Sequence, residues 1–430
     1  MITEKLLQFI WQFRYFNQDE LRLTNGEAIT VLHPGRSNPD QGPDFLMARI
    51  RLGSFLWTGP VELHCKTSHW HRHAHQQDPN YSNLILHVVW ENDLPQSIHP
   101  LPVLELCNRV PKLLLHQYES WMNSRAFIPC QHQLRTVHPL VWIAWKDRLL
   151  ADRITQKAAQ VELWLQQNQF HWEETCWWLL ARQFGGKVNG EAFEAIARSL
   201  PIALLARHRH QLPQLEALLL GQAWLLEKPF REAYPKWLQQ EYRFYRNKYG
   251  LVPNPYPVHF LRMRPVSFPT LRLAQLAMLL HRSGPLFSIM KEARSVRQLR
   301  QWLQPAASAY WDTHYTLDQP AAAMPKRLGG QVADSIIINA VIPVLFAYGK
   351  WRPETGCQER VQQWLEELPA EANTITRQFE QLGITCRHAA DSQALIALKT
   401  AWCDPKKCLQ CPAGVALLKT SSQLKRLPAS

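Results

Sequence analysis

The chain has 430 residues, of which 46% are hydrophobic and 19% charged, and this is enough apolar content for two or three domains with their own cores. Such a composition excludes a largely disordered chain. The 48 Lys and Arg outnumber the 35 Asp and Glu, and the formal net charge is +13. This excess favours a polyanionic partner, because neutralised phosphates release condensed counterions. The sequence therefore predicts binding to nucleic acid, with DNA the expected form.

The sequence shows no continuous apolar run of the roughly 20 residues that cross a bilayer. Its first 14 residues lack the layout of a signal peptide. Nine cysteines are an odd number in a chain without such a signal, which argues against a disulfide framework and for buried or metal-bound thiols. We expect a cytoplasmic protein that does not enter a membrane.

The N-terminal part of the chain predicts a mixed α/β domain. Residues 4–16 place apolar side chains at helical spacing. Short segments rich in branched and aromatic residues follow, and Gly, Pro, Asn or Asp separate them, as is typical of strands. The predicted strands are 28–32, 45–52, 55–57, 61–66, 84–90 and 103–106.

Beyond Pro111 the pattern changes to helical periods rich in Leu and Trp, which predicts a mainly α-helical region. The predicted helices include 142–165, 177–184, 215–226 and 270–280. Two Pro-rich stretches, 252–258 and 304–325, are predicted to be loops. We therefore expect an α/β domain at 1–125, a basic helical region at 126–384 and a C-terminal segment with a cysteine cluster at 385–430.

Residues 61–66 alternate apolar and polar side chains, which predicts a strand with Glu62, His64 and Lys66 on one face. A loop rich in Gly and Pro leads to Asp44, at the start of the preceding strand. Asp44 and Glu62 are therefore expected to converge, and such oxygen ligands suit Mg²⁺ or Mn²⁺. A nearby Lys or His can orient the attacking water or stabilise the developing charge.

This order of elements, with one strand opening on Pro-Asp and the next carrying Glu and Lys, resembles the PD-(D/E)XK nuclease superfamily over about the first 110 residues. The resemblance implies a restriction-endonuclease-like fold in which Asp44 and Glu62 hold the metal. In that superfamily a Lys two residues after the Glu assists the water. His64 occupies that position here, and Lys66 lies one step further on the same face, so either residue can take the third role.

Four histidines lie within seven residues, at 69, 71, 73 and 75. A dedicated zinc site is one interpretation. Histidines that alternate on a turn do not all face one ion, so the favoured interpretation makes His73, His75 and Asp78 phosphate contacts or outer partners of the acidic site. Tyr81 joins them as the last residue of a Gln-x-x-x-Tyr pattern similar to that of RecB-like nucleases.

Over its whole length the chain resembles a bacterial domain family of unknown function, number 2851. The segments that carry this resemblance are 38–45, 59–66, 78–89, 216–223, 262–269, 338–349 and the final cysteine motif. Because the family name carries no activity, the resemblance implies an architecture rather than a chemistry.

The C-terminal motif C-x4-C-x2-C is formed by Cys403, Cys408 and Cys411. This spacing suits Zn²⁺ or an iron-sulfur cluster, and the first three ligands of plant-type ferredoxins share it. Three buried structural thiols are the alternative. The candidates for a fourth ligand are, in order, Cys386, His388 and Cys357. The isolated cysteines Cys107, Cys130 and Cys176 are expected to be core residues.

Residues 241–282 interleave cations with aromatic rings, as is typical of surfaces that bind a phosphate backbone and stack on bases. The residues expected to contact nucleic acid are Arg243, Arg246, Lys248, Arg262 and Arg264.

The sequence favours a metal-dependent nuclease that hydrolyses phosphodiester bonds in DNA or RNA, with an accessory structural metal centre. Two alternatives stay open. One is a catalytically inert nucleic-acid-binding or scaffold protein that keeps a nuclease-like fold. The other is a different metal hydrolase that uses the histidines.

Overall fold

The computed structural model describes residues 2–73, 75–94, 101–252, 254–353 and 356–423. The chain forms two compact units: unit 1 comprises residues 1–145 and 398–430, and unit 2 comprises residues 146–397. The expected mixed α+β class is confirmed. The three segments predicted at 1–125, 126–384 and 385–430 do not coincide with the two units, because residues 398–423 pack with the N-terminal elements.

Unit 1 combines a mixed sheet with helices from both ends of the chain. Its helices are α1 (Glu4–Gln12), α2 (His69–Arg72), α3 (Lys112–Asn123) and α18 (Pro412–Gln423). Its strands are β1 (Ile29–His33), β2 (Arg36–Ser37), β3 (Phe45–Leu52), β4 (Phe55–Lys66), β5 (Leu86–Glu91) and β6 (Val103–Glu105). Short 3-10 helices lie at His75–Gln77, Pro79–Tyr81 and Gln131–Thr136, and a π-helical segment at Leu398–Cys403.

The sheet has the strand order β1-β3-β4-β5-β6, and β2 pairs with β3 at one end of that strand. Strands β1, β3 and β4 are antiparallel, whereas β4, β5 and β6 are parallel. In this register Val61 of β4 lies between Phe45 of β3 and Leu86 of β5. The middle of β4 is therefore the point at which the sheet changes from antiparallel to parallel pairing.

The two strands predicted at 55–57 and 61–66 form one strand of 12 residues. The break was predicted because Gly59 and Pro60 separate them. Instead, Gly59 allows close packing, since a Cβ atom there would lie 2.5 Å from Ile85 Cγ2, and the Pro60 carbonyl accepts a hydrogen bond from Ile85 N at 3.0 Å. The pairing with neighbouring strands thus continues through the Gly-Pro step.

Helix α1 packs against β4. Thr3 is its N-cap residue, and the Thr3 hydroxyl accepts a hydrogen bond from Leu6 N at 3.2 Å, which satisfies one of the free donors at the helix start. The apolar face of α1, including Leu7 and Ile10, is fully buried. Glu4 and Gln8 are four residues apart, so they lie together on another face of the helix.

Unit 2 is mainly helical, and helix α4 enters it from unit 1. Its helices are α4 (Pro139–Gln167), α5 (Trp172–Ser199), α6 (Ile202–Arg207), α7 (Leu212–Gln222), α8 (Ala233–Tyr249), α9 (Pro269–Arg282), α10 (Leu286–Glu292), α11 (Val296–Leu303), α12 (Ala309–Asp312), α13 (Gly330–Ile336), α14 (Ile342–Trp351), α15 (Cys357–Glu367), α16 (Thr374–Gln381) and α17 (Ala389–Ala397). A 3-10 helix lies at Pro265–Ser267 and a π-helical segment at Ile337–Val341.

Strands β7 (His314–Thr316) and β8 (Gln319–Pro320) form a short hairpin in unit 2. This hairpin and α12 lie in the stretch 304–325 that was predicted to be a loop. These elements were not predicted because the stretch is rich in Pro and because each element has only two to four residues.

The run from Gly330 to Trp351 joins α13, the π-helical segment and α14, and it is long and apolar enough to cross a membrane by length and composition. Its most apolar part is 67% buried inside the protein, as in the core helix of a soluble protein. Ile337, Val341 and Leu345 belong to the hydrophobic core of unit 2. Its apolar character is therefore explained by core packing.

We predict that Gly221→Ala destabilises unit 2 by about 1 to 3 kcal/mol. Gly221 of α7 faces Tyr242 of α8, and a Cβ atom at Gly221 would overlap the buried Tyr242 ring. Denaturant unfolding measures the change. Gly284→Ala is the matched control, because a Cβ atom there meets open space; equal stability of the two variants would contradict the packing argument.

Candidate functional site

The structure brings Asp44 and Glu62 together on neighbouring strands. Asp44 lies directly before β3, and its backbone N–H donates a hydrogen bond to Glu62 Oε2 at 3.1 Å. In return, Leu63 N donates to Asp44 Oδ2 at 3.1 Å. Each carboxyl thus binds the backbone of the other strand, and Glu62 is only 6% exposed. The pair forms an acidic site beside the middle of β4, with Glu62 buried and Asp44 half-buried.

The loop before β3 fixes the position of Asp44. Asn38 N donates to the Asp44 carbonyl at 2.8 Å, and Asn38 Nδ2 donates to the Pro43 carbonyl at 3.0 Å. Gly42 has a φ of 109°, a conformation that side chains with a Cβ rarely adopt. The Gly/Pro loop noted in the sequence therefore closes on itself and presents Asp44 to the sheet.

Helix α1 contributes two residues that the sequence reasoning did not assign. Gln8 Nε2 donates to Asp44 Oδ1 at 2.7 Å. The charge of Glu4 acts on both Asp44 and Glu62, and Glu4 Oε1 lies 3.7 Å from His69 Nδ1. The four-residue spacing of Glu4 and Gln8 indicates that they share one face of an amphipathic helix. The sequence does not say what that face contacts, because this depends on the packing of α1 on β4.

Burial, followed by the charge of Asp44, raises the pKa of Glu62 to about 8. Burial also raises the pKa of Asp44 to about 6, against the lowering effect of the Leu63 hydrogen bond. Two carboxyls this close repel each other when both are ionised. At neutral pH the pair therefore retains a proton unless a cation compensates its charge.

Three histidines meet at this acidic site. The ligand nitrogens of His64, His73 and His75 lie within 4.8 Å of one another. His64 Nε2 is 3.2 Å from His73 Nδ1. Glu62 Oε1 is 3.6 Å from His64 Nε2 and 3.5 Å from His75 Nε2. We call Glu62 and these three histidines the histidine-carboxylate cluster.

His75 has a nitrogen suited to a ligand. Its Nε2 atom is buried and makes no hydrogen bond within the part of the chain that the structure describes, although it faces Glu62. Burial and the neighbouring His73 lower the pKa of His75. The ring is held against Tyr81, with ring centroids 4.0 Å apart. His75 therefore presents a neutral imidazole nitrogen to the cluster.

His87 of β5 contacts the cluster through His64. Its Nε2 lies 2.9 Å from His64 Nδ1, and both residues are almost completely buried. A hydrogen bond on one imidazole nitrogen fixes the tautomer and the direction of the other, as in many metal-binding histidines. The sequence reasoning gave His87 no role, because a histidine in an apolar strand has no partner until the parallel pairing of β4 and β5 is known.

Of the remaining predicted residues of this region, Tyr81 lies near the acidic pair, whereas Asp78 and Lys66 make other contacts. Tyr81 is near the acidic pair, since burial and then the charge of Glu62 raise its pKa to about 12. Asp78 instead caps the 3-10 helix Pro79–Tyr81, where its Oδ1 accepts a hydrogen bond from Asn80 N at 2.9 Å. Lys66 lies at the exposed end of β4, and its Nζ is 3.6 Å from Glu91 Oε2.

The donor set decides which ions fit. Mg²⁺ takes oxygen ligands, whereas imidazole suits the transition ions. Glu62 supplies oxygen and the three histidines supply nitrogen, so Mn²⁺ fits better than Mg²⁺ among the two ions that the sequence predicted. Zn²⁺ accepts the same donors.

The predicted nucleic-acid contacts lie in unit 2. Arg243, Lys248, Arg262 and Arg264 are exposed, and Arg246 is half-buried. Several aromatic rings among them are not available for stacking, because Tyr242 and Tyr245 are 2% and 6% exposed. Lys248 lies over neighbouring rings of its own helix, 5.4 Å from the ring centre of Tyr249.

The predicted cysteine ligands fall in both units. Cys403, Cys408 and Cys411 belong to unit 1, and Cys386 belongs to unit 2. The charged groups that act on Cys386 include Asp391 and Glu380.

The chain belongs to the family described as "Protein of unknown function (DUF2851)", whose model matches residues 4–374. This match covers the whole acidic site and most of unit 2. No curated protein and no solved structure matches the chain.

We predict that Glu62→Gln makes the stability of the metal-free protein less dependent on pH. The folded protein raises the Glu62 pKa from 4.5 to about 8, so the wild type loses stability as pH rises through that range. Each unit of pKa shift corresponds to about 1.4 kcal/mol. The melting temperature of the variant should therefore exceed that of the wild type more at pH 9 than at pH 5.

Glu91→Gln is the matched control, because Glu91 is an exposed carboxylate on the neighbouring strand β5. Parallel melting curves for wild type and Glu62→Gln across this pH range would show that Glu62 is not held in a destabilising environment.

Proposed function

We propose that the protein is a metal-dependent nuclease that hydrolyses phosphodiester bonds in nucleic acid, with DNA the expected substrate, in the cytoplasm. The observation that carries this proposal is the meeting of the half-buried carboxyl of Asp44 and the buried carboxyl of Glu62 with His64, His73 and His75. Carboxylates and imidazoles that lie together in this way are typical ligands of a hydrolytic metal ion.

The sheet supports the same proposal. Asp44 begins β3, Glu62 lies in the middle of β4, and pairing changes from antiparallel to parallel at β4. A restriction-endonuclease-like fold would place its acidic residues on two such strands. We propose that unit 1 has this fold.

The metal-binding residues in this proposal are Glu62, His64, His73 and His75. A divalent ion bound there would supply a water of lowered pKa and a positive charge for the phosphate. Asp44 holds Glu62 through its backbone N–H and keeps the local charge negative. His87 holds the His64 ring in one orientation.

One group outside the proposed ligand set would act on the substrate. The phenol of Tyr81, whose raised pKa keeps it protonated, can donate a hydrogen bond to a phosphate oxygen. In this proposal His64 takes the position of the superfamily lysine, since Lys66 pairs with Glu91 at the strand end.

We predict that Glu62→Gln and Asp44→Asn each lower cleavage of DNA in the presence of Mn²⁺ by about a hundredfold or more. Both changes remove charge and preserve volume, so the fold and the affinity for DNA should be retained. The assay compares single-stranded DNA, double-stranded DNA and RNA with Mn²⁺, Mg²⁺ or Zn²⁺.

The control for this assay is Glu91→Gln, which removes an equivalent charge at the exposed end of β5. Wild-type cleavage by both acidic-site variants would exclude the proposed nuclease site. Binding of nucleic acid without cleavage under every metal condition would favour the inert binding protein instead.

A metal hydrolase that acts on another phosphoester is the second candidate. The cluster of three histidines favours this candidate. A metal ion held by imidazole nitrogens needs fewer oxygen ligands from a phosphate substrate than a metal ion held by oxygens alone. Metal-dependent hydrolysis of a small aryl phosphodiester, lost in Glu62→Gln, with nucleic acids left intact, would support this candidate.

We also predict that the affinity for DNA falls steeply with salt concentration, because a basic surface binds by releasing counterions. The double change Arg243→Gln and Arg264→Gln should reduce the slope of log affinity against log salt by about two, one for each lost phosphate contact. Both side chains are exposed. Filter binding at several salt concentrations gives the slope.

The matched control is the double change Arg294→Gln and Arg297→Gln, which removes the same charge from exposed positions elsewhere in unit 2. An equal loss of slope in both double variants would mean that the net charge, rather than the region 241–282, determines binding.

A further inference from the structure

Four cysteines lie in the part of unit 1 where the two ends of its sequence meet. Cys403 ends the π-helical segment, and Cys411 directly precedes α18. Cys130 directly precedes the 3-10 helix Gln131–Thr136. Cys130, Cys408 and Cys411 are buried, and Cys403 is half-buried. Three of the four thiols are therefore shielded from bulk water.

Packing around these cysteines joins residues 122–136 to residues 398–423. Helix α18 contacts both α3 and the 3-10 helix that follows Cys130. The Lys406 ammonium donates to the Met122 carbonyl, and the Lys399 ammonium lies 5.1 Å from the centre of the Phe127 ring. The chain on either side of Cys130 is thus in contact with the C-terminal segment 398–423 that contains the C-x4-C-x2-C motif.

The thiols themselves are close enough to influence one another. Cys408 and Cys411 act electrostatically on Cys130, and Cys130, Cys408 and Cys411 act on Cys403. Thiols gathered in this way supply the ligands of a metal centre.

The backbone between the cysteines is tightly turned, as a ligand loop must be. Lys406 has a φ of 53°, and its N–H donates to the Cys403 carbonyl at 3.1 Å. Cys411 N donates to the Lys407 carbonyl at 3.1 Å. A Cβ atom at Gly414 would overlap the Cys408 carbonyl, so the start of α18 lies directly against this loop.

We propose that Cys130, Cys403, Cys408 and Cys411 are the four ligands of an iron-sulfur cluster. Thus Cys130, rather than Cys386, completes the motif. The four ligands all belong to unit 1, although the whole of unit 2 lies between Cys130 and Cys403 in the sequence. The centre does not depend on any activity of the acidic site.

The spacing of the cysteines in the sequence favours a cluster over a single zinc ion. Cys403, Cys408 and Cys411 have the C-x4-C-x2-C spacing of the first three ligands of plant-type ferredoxins, in which the fourth cysteine lies elsewhere in the sequence. Cys130 is likewise distant from this motif in the sequence, and both belong to unit 1.

The decisive experiment measures metal and inorganic sulfide in the full-length protein, purified without oxygen. Wild type should contain about two or four iron per chain and an equal amount of sulfide, with the broad visible absorption of an iron-sulfur cluster. Cys130→Ser and Cys403→Ser should each lose most of this iron and sulfide. Cys386→Ser is the matched control and should keep the wild-type content, because Cys386 is a half-buried thiol of unit 2.

Wild-type iron and sulfide content in Cys130→Ser would overturn the assignment of Cys130. Zinc without sulfide in the wild type would overturn the iron-sulfur cluster. If Cys130→Ser does not fold, alkylation of the wild type followed by mass spectrometry decides the ligand set. The four proposed ligands should react only after the iron is removed, whereas reaction of Cys130 before iron removal would exclude it as a ligand.

Discussion

The acidic site depends on the burial of the Glu62 carboxyl in the middle of β4. That strand has neighbours on both edges, and its residues from Val61 to His64 are all buried. An ionised carboxylate in such a place is unfavourable unless protons or cations compensate its charge. The groups around Glu62 can compensate this charge. The Asp44 N–H donates a hydrogen bond to Glu62 Oε2, and His64 and His75 lie near Glu62 Oε1. The same geometry provides ligands for a divalent ion.

The change of pairing at β4 explains why these groups meet. On its antiparallel side, β3 begins at the level of Val61, so Asp44 lies next to Glu62. On its parallel side, β5 brings His87 beside Glu62 in register, where it reaches His64. The connection between β4 and β5 has to return along the sheet, and it carries His73, His75 and Tyr81 over the acidic pair. One strand therefore collects residues from three chain segments.

Unit 1 contains two donor sets of different chemistry. Oxygen and imidazole nitrogen at the histidine-carboxylate cluster suit ions that activate water. Buried sulfur at the cysteines suits a centre that stabilises structure, since thiolate ligation adds to the free energy of folding. Cys130 would link the end of the N-terminal elements to the C-terminal segment, across the sequence of unit 2. The folding of unit 1 would then require both ends of its chain.

Local pattern in the sequence determined much of unit 1. The strand at 45–52 was predicted with its observed bounds, and the alternation at 61–66 placed Glu62, His64 and Lys66 on one side of a strand. These predictions succeeded because strand periodicity is a property of neighbouring residues. Tertiary structure alone decided that Glu62 and His64 are buried, that Gln8 and His87 join them, and that Cys130 lies beside the distant cysteines. Each of these facts depends on pairing or packing between segments far apart in the chain, and such contacts leave no period in a single sequence.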